Sequence, residues 1–140
     1  MIAPELLIYD LYRQFGMEPT LKTFREQAFA ESEGQYMAGA PKNEYTVPNT
    51  AYWFEHELRQ YPAAELDLDA LKVHADRIVL MAGRESRGYP TYEVNVELGK
   101  KLGRELIEMP GGHIGHTTQP TEFARELVQA LARTGHGPKP

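Results

Sequence analysis

Apolar positions in the first 62 residues recur at helical spacing. In Pro4 to Phe15, Leu7, Leu11 and Phe15 stand four apart and Gly16 follows as a stop, which predicts an amphipathic helix. A second helix is predicted from about Pro19, with Leu21, Phe24 and Ala28 on one side. Residues 32 to 49, SEGQYMAGAPKNEYTVPN, have no period and carry two prolines and two glycines, so they read as a loop. Asn49 or Thr50 can then cap a third helix with Ala51, Phe54, Leu58 and Tyr61 on one stripe. Nothing before residue 75 makes a convincing strand.

The pattern changes at Asp67, which can cap the short helix LDALKV ahead of the apolar run IVLMA, residues 78 to 82. Such a run suits a strand buried on both faces, and LIEM, residues 106 to 109, predicts a second. Between them, Tyr92, Val94, Val96 and Leu98 fit either alternation or a spacing of four; Pro90 at the start and Gly103 after the end favour a helix. A last helix starts at Pro120, carries Phe123, Leu127 and Leu131, and ends near Arg133 and Gly135. Strand, crossover helix and strand make a parallel βαβ unit, whose carboxyl edge is where open α/β sheets place ligands. Three parts are expected: a helical segment, 1–62; a βαβ core with a closing helix, 63–135; and a frayed tail, 136–140.

Composition narrows the function. The chain has 41% hydrophobic and 25% charged residues, a net charge of −5 and no lysine- or arginine-rich run, so nucleic acid is not an expected partner. With no cysteine, thiol chemistry and disulfides are excluded. The absence of a signal-like start, or of an apolar run near the ~18 residues that span a bilayer, leads us to expect a cytoplasmic protein with no membrane partner.

The chemistry concentrates in EMPGGHIGHTTQP, residues 108 to 120. A metal reading would use His113 and His116 with Glu85 or Glu108, but two histidines astride a glycine turn match no zinc spacing. HELRQ at His56 has Gln60 where a second histidine belongs. GGHIG is neither a dinucleotide fingerprint nor a phosphate loop, so no metal and no cofactor is expected. The remaining reading is a general base: His113 follows the second strand, Glu85 follows the first, and a carboxylate can hold and stabilise the imidazole.

Residues 49 to 133 resemble the C-terminal half of bacterial α/β-hydrolases, most specifically through PGGHIG…QPTEFA…L, with FEHELRQY, LDLDALK, RIVLMAGRES and LGKKLG in support. The resemblance implies a partial α/β-hydrolase fold, with N-terminal cap-like helices followed by a parallel β-α-β unit and a C-terminal helix. It assigns His113 as base and Glu85 as acid of an esterase-like triad. Many members carry aspartate at the place of Glu85, and Asp67 or Asp69 is the alternative acid. Trp53 and His56 of the cap-like helices would line a substrate pocket, or else belong to a packed helix face.

The departure from the family is the nucleophile. Only Ser32 and Ser86 are present, and neither lies in Gly-x-Ser-x-Gly. The expected protein is therefore truncated or split, inactive alone, and able to act on a small acyl substrate only with an N-terminal half. The competing expectation is a non-catalytic binding or assembly module that forms a homodimer through the strand edge of IVLMA.

Overall fold

The computed structural model describes residues 4–61 and 63–135, a mixed α/β chain that is mostly helical around a two-stranded parallel sheet. Residue 62, at the expected boundary, and the tail 136–140 lie outside the described residues.

Helices α1 (Pro4–Phe15) and α2 (Met17–Ala28) pack together across Gly16, whose φ of 83° is left-handed. The buried face of α1 is not the predicted one. Ile8 is 3% exposed, whereas Leu7 and Phe15 are 50% and 56% exposed. Two interleaved apolar rows run along this helix, and the row with Ile8 and Tyr12 meets Phe54; the Tyr12 and Phe54 rings stack at 4.3 Å.

Helix α3 (Glu31–Ala38) lies within the segment predicted as loop. Its sequence has no apolar stripe to announce it, and what holds it is tertiary: Glu33, in its first turn, is 1% exposed. Helix α4 (Thr46–Tyr52) begins earlier than the predicted Asn49 or Thr50 cap. Asn43 accepts from Tyr45 N and Thr46 Oγ1 accepts from Asn43 N, both at 2.9 Å, and this turn starts the helix instead. Pro48 falls in the first turn, where its missing N–H costs nothing. The helix continues as a π-turn, Trp53–Glu57, closed by Leu58 N donating to Trp53 O at 2.9 Å. The extra residue in that turn carries Phe54 and Leu58 into the core but leaves Tyr61, predicted on their stripe, 66% exposed.

Asp67 caps α5 (Leu68–Val73) by accepting from Ala70 N at 2.9 Å, as its position predicted. Strand β1 (Leu80–Gly83) starts two residues later than the apolar run, after a 3-10 turn at Ala75–Arg77. Helix α6 (Pro90–Leu102) has Pro90 in its first turn and ends on left-handed Gly103. Strand β2 (Leu106–Met109) runs parallel to β1, with Leu80 opposite Leu106 and Gly83 opposite Met109. Helix α6 packs on both strands, and the last helix, α8 (Pro120–Arg133), packs on β2. Leu80, Ala82, Leu102, Met109 and Ala130 on these elements are all buried. Among the described residues β1 has one strand neighbour, so its other edge carries no strand.

Candidate active site

The register brings both loops of interest to the carboxyl edge of the sheet. Glu85 sits in the 3-10 turn Arg84–Ser86 directly after β1, and His113 follows β2 just before the short helix α7 (Gly115–Thr118). The loops are bonded to each other: Glu85 N donates to Gly111 O at 3.0 Å.

The side chains do not yet form a pair. Glu85 Oε1 accepts from Gln119 Nε2 at 3.0 Å and Glu85 Oε2 accepts from Ser32 Oγ at 3.4 Å. No hydrogen bond joins Glu85 to His113 among the described residues. The His113 ring is exposed and lies 5.6 Å from the Phe29 ring, centroid to centroid. The alternative acids are committed on α5, ahead of the amino end of β1: Asp67 as the cap, Asp69 to Lys72 at 3.2 Å.

The glycine pair before His113 has two separate uses. Gly111 takes φ 75°, the left-handed turn out of β2. Gly112 does not, and is required for closeness: a Cβ on it would stand 2.1 Å from Glu33 Oε2. That carboxylate accepts from His113 N at 3.0 Å and from Ile114 N at 2.7 Å. These are donors at the start of α7 that its own first turn leaves unpaired. Glu33 thus fastens α3 to the backbone that carries His113. Sequence reasoning missed this residue, and the one local signal was a second glycine where the turn needs only one.

The same region of chain makes other contacts to this edge. Thr91 Oγ1 donates to Ala28 O at 3.4 Å, beside the Ser32–Glu85 and Phe29–His113 contacts. The end of α2 and the start of α3 therefore cover the Glu85 and His113 loops. Trp53 and His56 are elsewhere. Trp53 packs edge-on to Phe24 at 5.1 Å and lines a shallow recess with Leu21 and Asn49, and His56 is exposed against Tyr52 at 4.7 Å. The structure does not bring them to His113.

Behind His113 is a cavity of about 170 Å³, lined also by Ser86, Thr91, Asn95 and Met109. Ser86 is 1% exposed and its Oγ has no hydrogen-bond partner among the described residues. Arg84 stands where a nucleophile elbow needs glycine, so Ser86 lies in no elbow.

On the outer side, Glu108 accepts from Arg87 through both oxygens and from Tyr92 Oη at 2.7 Å. Arg87 and then Tyr92 hold its carboxyl at about 2, well below the usual range, and the same bonds raise both partners. Glu108 is thereby occupied, and His116 lies edge-on to Phe123 at 5.9 Å. Among the described residues no group of three or more histidines, aspartates or glutamates could hold a metal ion. A depressed carboxyl contributes stability that is complete above about 4.5 and is lost as pH falls towards about 2. The urea midpoint should therefore drop between pH 5 and pH 2.5 by more in the wild type than in Arg87→Met; equal drops would show the cluster to be uncoupled from folding.

No protein-family model matches the chain. Among the described residues no helix is long and apolar enough to cross a membrane.

Proposed function

We propose that this chain is the cap and the acid–base part of an α/β-hydrolase-type protein acting on esters or similar acyl compounds. His113 is its general base and Glu85 its acid. The observation that carries the reading is the bonded pair of loops at the carboxyl edge of two parallel strands, Glu85 N to Gly111 O, with α2 and α3 lying over them.

In the reaction, His113 takes the proton of a serine as that oxygen adds to the acyl carbon, then returns it to the leaving group. Glu85 stabilises the imidazolium, which requires it to exchange Gln119 or Ser32 for the ring N–H of His113. On this reading the serine comes from a complementary segment, because neither serine of these 140 residues lies in a Gly-x-Ser-x-Gly elbow. Without it the chain lacks covalent catalysis.

The test is a fluorophosphonate probe and p-nitrophenyl acetate, applied first to the chain alone and then to the chain co-expressed with a hydrolase N-terminal half containing Gly-x-Ser-x-Gly. The chain alone should neither label stoichiometrically nor turn over. The complemented pair should turn over, and His113→Ala should reduce it by about 100-fold. Stoichiometric labelling of the chain alone, or turnover indifferent to His113→Ala, would overturn the proposal.

A further inference from the structure

A recess of about 430 Å³ lies between α2 and α3, with Arg25, Phe29, Gly34 and Tyr89 in its walls. Four ionisable side chains other than Tyr89 line it, and three of them are engaged. Lys22 Nζ faces Glu26 at 3.9 Å, and Glu31 accepts from Gln35 Nε2 at 3.1 Å. Arg25 is the fourth. It is half-buried, and among the described residues no hydrogen bond or ion pair engages its guanidinium. A guanidinium without a partner is free to take one, and its planar fork matches a carboxylate.

The space beside it is maintained by sequence. Gly34 stands mid-helix, where glycine is unfavourable, and a Cβ there would be 3.7 Å from Arg25 Cβ. A side chain longer than alanine would extend into the recess. Phe29 gives an apolar wall and also touches His113, so the recess adjoins the base.

We infer that this recess binds a small molecule with an apolar body and one carboxylate end, with Arg25 as its counter-ion. Among the described residues Arg25 is one cation without a partner and fits one negative charge; Lys22 faces Glu26 and Glu31 is bonded only to the neutral Gln35 amide, so a second negative charge on the ligand would meet no free cation on these walls. The link to catalysis, that this ligand is the acid-bearing end of an acyl substrate, rests on the proposed function. The site itself rests on the recess.

Binding can be read on the full chain by nitrogen-15 NMR, with hexanoate, its neutral amide and inorganic phosphate as probes. Hexanoate should give saturable shifts centred on Arg25 and Phe29. Arg25→Met, with its spectrum otherwise that of the wild type, should weaken binding at least about tenfold, with Arg25→Lys between the two. Gly34→Leu should block binding with Arg25 intact. If hexanamide or phosphate binds as well as hexanoate, or Arg25→Met binds equally, the inference fails. Because the readout is binding to the chain as it stands, a failed esterase test leaves this result untouched, and the reverse also holds.

Discussion

Gly83→Ala should destabilise the chain by more than about 3 kcal/mol, beyond the usual cost of overpacking. A Cβ on Gly83 would stand 2.0 Å from Gly112 O and 2.6 Å from Gly111 O. Both are backbone atoms, so no side chain can rotate away to relieve the overlap. Nor is that backbone free to move. Gly112 O accepts from Gly115 N at 3.2 Å, and Gly111 O accepts from Glu85 N at 3.0 Å. Relief must come from separating the Glu85 loop from the His113 loop. Gly88→Ala is the control, since Gly88 has φ 83° but no atom within 4 Å of its Cβ position. It should cost only the strain of a left-handed alanine, roughly 1–2 kcal/mol. Urea unfolding of the two variants decides the matter. Equal costs would mean that the close approach of the two loops does not matter.

The parts of this fold that were legible in the sequence are those whose determinants are local. Asp67, Pro90, Gly103 and Pro120 each act within a turn of where they stand, and each marks the end of a helix as predicted. The parallel pairing was legible because two short apolar runs separated by a helix leave little choice. Elements settled by distant partners were misread. In α1 the choice between two apolar rows is made by Phe54, more than forty residues away. The apolar residues of helix α3, Tyr36, Met37 and Ala38, are consecutive and form no stripe, and its one buried side chain, Glu33, is a residue type that pattern reading assigns to solvent. The candidate site divides in the same way. That the two loops meet follows from topology, but which donors occupy Glu85 depends on Ser32 and Gln119, and nothing in their spacing shows it.

Glu33→Ala should cost about 3 kcal/mol or more and loosen the base loop without disturbing the sheet. Removing the carboxylate leaves the N–H groups of His113 and Ile114 without their acceptor in a part-buried setting. Each unmet donor costs roughly 1–3 kcal/mol. Glu33→Gln separates shape from chemistry. It fills the same space, but one of its two ends is now a donor facing an N–H, so it should recover only part of the loss. Gly112→Ala reaches the same contact from the other side, because the new methyl would occupy the place of Glu33 Oε2. Combined with Glu33→Ala, it should cost less than the two single changes together, since the space it needs is then empty. Hydrogen exchange locates the effect: protection at His113 and Ile114 should collapse in Glu33→Ala while Leu80–Gly83 and Leu106–Met109 stay protected. If protection fell equally everywhere, Glu33 would be an ordinary stabiliser of the whole chain. If the loop alone opens, α3 is the element that sets where His113 stands, and the two move as one piece.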